Sequence, residues 1–459
     1  MGPRAMIRRD MNTPSVRRLL LIGQCTLHWG RMEFGNIGNY YILEPLITEL
    51  HRVFPHAQIR TTFQLSEAFC RQFDVTVLPM SLYYDWDQAD LERAEVEVEQ
   101  AHLIVGNGRP PQPTPYLIEA LDADLVVDFS GDIWGDNAHL LGPNRFRVGL
   151  LKDRTAQILG KPVVMIAGSA GPFTEGPDLT LAREVFANFL WVSNREAMSR
   201  EVLAAAGFRT DHVTDCACPA FLFQPASPER AQELLRDEEG PPPPPGKLVV
   251  TFVICGWNFA RGPFDAWPRA DEEFTPFVAM VRHLIERHGA FVRLLSHANG
   301  FPPPPADFQL QTGRDYVIAE RLHQLLLAAD VGPAVRLLHG PFTPAETKAL
   351  IARSDLLVAG RIHAAVAGIS QCIPTVIIDY GHQPKAHKLR GIAQSIGMEQ
   401  MVVDPLASAV CEKIDWAISN APSLRALLTA NLPRTLALAR ANFELLPGQV
   451  EHSAHGRRS

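Results

Sequence analysis

Residues 354–380 read SDLLVAGRIHAAVAGISQCIPTVIIDY, and the order of residue types in this stretch decides the fold. Leu356–Val358 is a short, uninterrupted apolar run, and Thr375–Ile378 lies beyond it. Apolar runs of this length without polar alternation read as strands buried on both faces, as in a parallel sheet. Between them, Ala364–Ser370 is a run of small residues suited to a helix packed closely on that sheet. Strand, helix and strand make one βαβ step. The turn after the first strand holds Gly360, Arg361 and His363. Ligands of open parallel sheets bind beyond the carboxyl ends of the strands, so this turn is where chemistry is expected.

The same alternation extends toward the N-terminus. Apolar runs at Leu248–Ile254, Val292–Leu295 and Leu337–Leu338 are separated by helical patterns around Phe274–Arg287, Tyr316–Ala329 and Pro344–Arg353. Earlier still, a strand at Leu19–Ile22 runs into a loop containing Gly30, Gly35 and Gly38, and helical spacing follows from Tyr40 to Val53. Leu103–Val105, Leu125–Phe129, Val163–Ile166 and Leu190–Val192 then read as further buried strands. The two series are divided by the charged segment Arg230–Glu239 and the run Pro241–Pro245, expected to form an extended polyproline rod. The predicted fold class is α/β, with two Rossmann-like domains facing a cleft. The expected boundaries are 18–225, a proline-rich linker at 226–246, 247–405, and a helical segment at 406–450. A second run, Pro302–Pro305, is read as a loop between a strand and a helix.

Composition agrees with this layout. With 459 residues and 46% hydrophobic content, two domains each have enough chain for a full core. Fifty acidic residues against 43 Lys and Arg give a formal charge of -7, which lacks the basicity of a dedicated nucleic-acid binder but permits a local cationic cleft. Seven cysteines, an odd number scattered along the chain, do not form a disulfide framework and suggest a reducing compartment. Leu19–Ile22 is too short for a secretory core, and no run approaches the ~18 apolar residues of a membrane span. The expected location is cytoplasmic, with any membrane-linked substrate met from the aqueous side.

Arg361 offers a planar fork of donors for a carboxylate or phosphate, and His363 can act as acid or base near neutrality. Both could converge on an anion at the N-terminus of the following helix. An arginine capping the sheet and a histidine satisfied in the core fit the same spacing. Gly168-Ser-Ala-Gly171 could cradle phosphate through backbone N–H groups or form a tight turn, and it lacks the Lys-Ser/Thr ending of a P-loop. Cys216-Ala-Cys218 is neither a redox pair nor half of a zinc site, and reads as small buried residues beside Asp215.

Taken together, the segments resemble the polysaccharide pyruvyl transferase family. Ser354–Tyr380 is similar to its C-terminal signature. Phe34-Gly-Asn-Ile-Gly-Asn39 resembles its GN-x-GD loop, and Asp128-Phe-Ser-Gly-Asp132 its strand-end GGD segment. Ile166–Pro172 resembles the following strand and glycine turn, Ser193-Asn-Arg-Glu196 its S-x-RE, Asp215–Phe221 its D-x-A-F-like segment, and Leu294-Leu-Ser-His297 its histidine-ended strand. The resemblance spans about residues 20–400 and keeps the family's order. Two departures stand out. Asn39 replaces a common aspartate, so no carboxylate base exists there, and Ser130 replaces a common glycine.

The resemblance implies a GT-B-like fold and transfer of a pyruvyl group from phosphoenolpyruvate to sugar hydroxyls of a polysaccharide or lipid-linked glycan. The product is a pyruvate ketal, and phosphate is released. The scheme needs no metal or redox cofactor. Peripheral membrane contact would come only through a lipid-linked acceptor. Arg361, His363 and Asp132 are the expected catalytic residues, and Arg195, Arg361, His363, His297 and Lys385 the expected phosphoenolpyruvate ligands. Asn36, Asn39, Asp136, Trp257 and Asn258 are expected on the acceptor. Arg195 has an alternative partner in Glu196, and each polar loop residue an alternative role in turns and caps. Two other functions fit the scaffold: a GT-B nucleotide-sugar glycosyltransferase, and a non-catalytic glycan-binding member of the family.

Overall fold

The computed structural model describes residues 16–24, 29–78, 86–110, 112–239, 242–260, 266–380, 387–404 and 410–456. The first sheet is built from β1 (Arg18–Ile22), β2 (Gln58–Thr61), β3 (Val75–Val77), β4 (Leu125–Asp128), β5 (Val163–Gly168), β6 (Trp191–Asn194) and β7 (Val213–Asp215). Its order is β3-β2-β1-β4-β5-β6-β7, with every pairing parallel. The second half contributes β8 (Val249–Val253), β9 (Phe291–Leu294), a small antiparallel pair β10 (Asn299–Gly300) and β11 (Gln311–Thr312), β12 (Val335–Leu337), β13 (Leu356–Ala359), β14 (Thr375–Ile378) and β15 (Val402–Val403). Its main sheet runs β12-β9-β8-β13-β14-β15, again all parallel.

These strand orders place the crevices. In each sheet the chain starts in the middle, builds to one side, then crosses back to the other. The reversal falls between β1 and β4 in the first sheet and between β8 and β13 in the second. At such a switch point the two flanking connections leave in opposite directions and open a crevice beyond the strand ends. Asp132 follows β4, while Trp257 and Arg361 follow β8 and β13.

The two halves are tied together by the tail. The helix Ala421–Glu444 crosses back to the first domain, where Asn442 accepts from Ser193 Oγ (2.7 Å) and donates to the Ala217 carbonyl (2.8 Å). Among the described residues, no helix is long and apolar enough to cross a membrane.

Three local readings change, and three strands went unread. Leu103–Val105 is not a strand but the end of the helix Gln88–Val105, with Leu103 45% and Val105 58% exposed. A three-residue apolar run cannot by itself distinguish the two periods. The short strands β2, β3 and β7 were not apparent, because polar residues such as Arg60 and Thr76 interrupt them. Within the 226–246 stretch read as a linker, Pro228–Glu239 forms a helix. Ala231 and Leu235, spaced i and i+4, are its buried stripe, and Glu239 holds the buried Arg293 through two bonds of 2.6 and 3.0 Å. Finally, Pro302–Pro305 joins β10 to β11, two strands, rather than a strand to a helix.

Candidate active site

The site forms where the helix Ile37–Val53 of the first domain meets the helix Ile362–Ile369 of the second. Asn36 starts the first of these: its Oδ1 accepts from the Gly38 N–H at 3.1 Å, a side-chain N-cap. The backbone of Asn36 also bridges to Ala298, directly after His297 in the second domain. Gly38 is then forced by proximity. A Cβ placed on it would lie 2.3 Å from His363 Nδ1 and 2.6 Å from His363 Cβ. The glycine loop therefore lets a helix N-terminus, with its unpaired N–H groups and positive dipole end, close directly on His363.

Around His363 the first domain supplies a cation and a carboxylate, and the second domain a further cation. Arg195 leaves the end of β6, and Asp132 the loop after β4. Arg195 Nη2 stands 3.4 Å from Asp132 Oδ1, and Lys388 Nζ bonds the other oxygen, Oδ2. Lys388 comes from the helix His387–Ser395 of the second domain. That helix docks on the first domain so tightly that a Cβ at Gly391 would meet Glu196 Oε2 at 2.3 Å. Glu196 is not the partner of Arg195. It accepts from Ser169 Oγ (2.8 Å), the Ser199 N–H (3.0 Å) and Ser199 Oγ, and so caps the next helix. Arg195 is only 2% exposed, and its Nε has no hydrogen-bond partner among the described residues.

The electrostatics follow from this arrangement. Two buried cations share one carboxylate, so the cluster carries surplus positive charge suited to an anion. Burial, then the charges of Arg195 and Lys388, push the His363 imidazole well below its ordinary range, with Asp132 opposing. His363 is thus neutral at physiological pH and offers a lone pair. Its Nε2 lies 3.8 Å from Cys218 Sγ. Burial lowers the Lys388 ammonium and Arg195 lowers it further, while Asp132 supports the charged form.

Arg361 sits apart from this cluster in chemical role. Its Nε and Nη2 bind both oxygens of Asp315, the latter at 2.6 Å, in a buried bidentate pair. Two edges of the fork are therefore spent within the second domain. Arg361 and Asp315 line a cleft with Trp257, Trp267 and Arg314, and Trp257 stands 5.9 Å from the Tyr380 ring.

The other sequence candidates divide. His297 is fully buried, both ring nitrogens lack a hydrogen-bond partner among the described residues, and the ring packs edge-on against Tyr41 at 5.4 Å. Burial, then Arg361, pushes its imidazole down to about 3. Asn258 does not face an acceptor. It is 0% exposed, its Oδ1 accepts from the Cys255 N–H (2.9 Å), and its Nδ2 donates to the Gly360 carbonyl (3.1 Å). It pins the ends of β8 and β13 together. Asn39 accepts from Asn36 Nδ2 at 3.3 Å, and Asp136 accepts from Thr174 Oγ1. Lys385 lies outside the described residues. Ser130, the departure from glycine, accepts from the Gln24 N–H (3.0 Å) and donates to the buried Asp128 (2.9 Å), joining the ends of β1 and β4. Gly168–Gly171 is a turn rather than a phosphate cradle, since Ser169 N–H and Gly171 N–H bond the carbonyls of Gly131 and Trp134.

Lys388, Asp315 and His387 were not among the sequence candidates. His387 is buried beside the charges of Glu196, Lys388, Asp132 and Arg195. A lysine in a polar helix pattern looks like solvated surface, and only the docking of Gly391 on Glu196 turns Lys388 inward.

The family model described as polysaccharide pyruvyl transferase matches residues 36–382, from the helix cap at Asn36 through the strand-end Arg361 and His363. The chain belongs to the polysaccharide pyruvyl transferase family. As a family member it is a transferase of polysaccharide biosynthesis. It is 25% identical over 422 residues to the amylovoran biosynthesis protein AmsJ of Erwinia amylovora, an alignment covering 88% of this chain and 92% of that one. Among solved structures, a glycosyltransferase from Rickettsia africae superposes with a TM-score of 0.57 at 10% identity, covering 95% and 98% of the two chains. Anabaena Alr3699/HepE, solved in complex with UDP-glucose, does so with a TM-score of 0.50 at 15% identity, covering 96% and 99%. At such identities the likeness concerns the fold, which is the GT-B-like pair of Rossmann domains expected from the sequence. Lys388 lies beyond the residues matched by the family model.

Proposed function

We propose that this pyruvyl transferase takes the pyruvyl group from phosphoenolpyruvate and joins it to two hydroxyls of a polysaccharide or lipid-linked glycan as a ketal. The observation that carries this reading is the cluster of Arg195 and Lys388, brought from opposite domains onto Asp132 beside a neutral His363. Phosphoenolpyruvate presents a carboxylate and a phosphate, and two buried cations with a helix N-terminus meet that demand. In this scheme Arg195 and Lys388 hold the donor, and Asp132 keeps them poised until the substrate arrives.

The reaction balances without another reactant. C3 of the enol gains a proton, C2 becomes electrophilic and one sugar hydroxyl adds to it. The bond from C2 to the phosphate oxygen breaks, and a second hydroxyl closes the ring. Of the two hydroxyl protons, one ends on C3 and the other on the phosphate. His363, held neutral, takes a hydroxyl proton as the oxygen attacks. Binding of the polyanionic donor offsets the charges of Arg195 and Lys388, which raises the affinity of His363 for that proton when it is needed. Arg361 acts from the side, ordering the cleft through Asp315, and Trp257 offers a ring face to the sugar. In this reading the reaction occurs in the cytoplasm, with a lipid-linked acceptor reached from the aqueous side.

The test is incubation with phosphoenolpyruvate and candidate glycans, followed by phosphorus and proton NMR. Loss of the vinyl protons, release of inorganic phosphate and a new ketal methyl signal are expected, and Arg195→Ala and Lys388→Met should abolish them. Turnover of a nucleotide sugar with phosphoenolpyruvate untouched would instead establish the glycosyltransferase reading.

A further inference from the structure

Far from the interdomain site, the helix Thr275–His288 and the tail helix Val410–Ser419 meet through three metal-ligating side chains. His283 Nε2 and His288 Nε2 each stand 2.6 Å from the same oxygen of Asp415, Oδ1. All three ligand-type atoms lie within 4.8 Å of one another. We propose that His283, His288 and Asp415 bind one divalent transition-metal ion of the Zn2+ type, which fastens the tail helix to the second domain.

The geometry supports this in several ways. Ligand atoms about 2.0–2.2 Å from a tetrahedral zinc sit roughly 3.3–3.6 Å apart. The two Nε2···Oδ1 separations of 2.6 Å need open by only about 1 Å to admit the ion. Small side-chain rotations accomplish that on two solid helices. The third-side contact is also in place: Arg287 Nε holds the other Asp415 oxygen at 3.1 Å. Ligating carboxylates are ordinarily fixed in this way by an outer hydrogen bond, which here favours one-oxygen binding. The histidines stand in the last two turns of their helix, where the dipole favours positive charge, and Gly289 ends the helix at φ 62°. All three ligands are partly exposed, at 23%, 17% and 23%, so an ion has a path in and a solvent-facing fourth position. Two imidazoles select Zn2+, Ni2+ or Cu2+ over Mg2+ and Ca2+, which prefer oxygen.

Isothermal titration of the untagged full-length chain with Zn2+ tests the site. One equivalent should bind, with no heat from Mg2+, and thermal unfolding should move upward because the ion bridges two elements only in the folded chain. Affinity should fall at least about tenfold in His283→Gln and in His288→Gln, whose amides still donate to Asp415 and so spare the metal-free contact. Cys411→Ser, one turn away, should leave it unchanged. X-ray absorption on the wild-type 1:1 complex gives an answer independent of any variant. Two imidazoles with oxygen are expected in the first shell, and sulfur there would overturn the proposal. So would the absence of binding, or undiminished binding in the His283→Gln/His288→Gln double variant.

Discussion

Replacing Gly38 with alanine sets two effects against each other with opposite signs. Gly38 lies in the first turn of the helix Ile37–Val53, where alanine gains up to about 1 kcal/mol of intrinsic helix preference over glycine. The added methyl would, however, sit 2.3 Å from His363 Nδ1 and 2.6 Å from His363 Cβ. Rotation of the ring cannot relieve the second contact, because Cβ does not move with χ1, so the two helices must separate by about 1 Å. Overpacking of this kind costs about 1–3 kcal/mol, and an overlap this deep belongs at the upper end. The net expectation is a loss of about 2 kcal/mol, read as a fall of roughly 2–4 °C in thermal midpoint. A displacement of about 1 Å at His363 should also cost on the order of a hundredfold in turnover. A double-mutant cycle isolates the contact. Gly38→Ala with His363→Gly should recover most of the loss, whereas Gly38→Ala with His363→Ala should recover little, since the offending Cβ remains. If Gly38→Ala raises the thermal midpoint, or if the cycle with His363→Gly is additive within about 0.5 kcal/mol, the close interdomain approach is wrong.

Asp132→Asn removes the one carboxylate between Arg195 and Lys388 and should destabilise the chain by about 3–5 kcal/mol, measured by chemical denaturation, with phosphate or phosphoenolpyruvate restoring part of it. Acid stability is expected to depend on His297: its folded value near 3 lies below the ordinary 6.5, so its contribution is complete above pH 6.5 and drains as pH falls. Between about pH 5.5 and 4 this amounts to roughly 1.4 kcal/mol per pH unit, and His297→Leu should flatten the stability–pH curve by that slope. Since His363 is also held neutral, kcat/KM in free enzyme should show no acid limb from it between pH 6 and 8, and a limb that vanishes in His363→Gln would contradict this. Asn258→Ala strips two buried bonds, one from the Cys255 N–H after β8 and one to the Gly360 carbonyl beside Arg361, and should cost about 1–3 kcal/mol, with no change in acceptor KM beyond what lost stability explains.

How far the sequence carried these conclusions depended on the kind of signal each residue gives. The second sheet was legible because β8, β13 and β14 lie within or overlap nearly continuous apolar runs and β9 is broken only by Arg293. The switch points then located the strand-end loops holding Asp132, Trp257 and Arg361. What could not be read was which side chains spend their polar atoms on the protein itself. Asn258 reads as an acceptor ligand and Ser130 as a bare replacement of glycine, yet both are structural ties, which depends on partners over a hundred positions away. Arg361 carries no mark in the sequence of its pairing with Asp315, which lies 46 residues earlier. Lys388 was hidden for the converse reason: its inward direction is set by how one domain docks on the other. Local pattern records secondary structure, while tertiary docking decides charge partners.

In the proposed reaction the donor anion is held across the interdomain seam. A crystal structure of the chain with phosphoenolpyruvate bound tests it most directly. Donor oxygens are expected within hydrogen-bond distance of both Arg195 and Lys388, with His363 beside the enol. Phosphoenolpyruvate bound within one domain alone, away from Arg195 and Lys388, would contradict it.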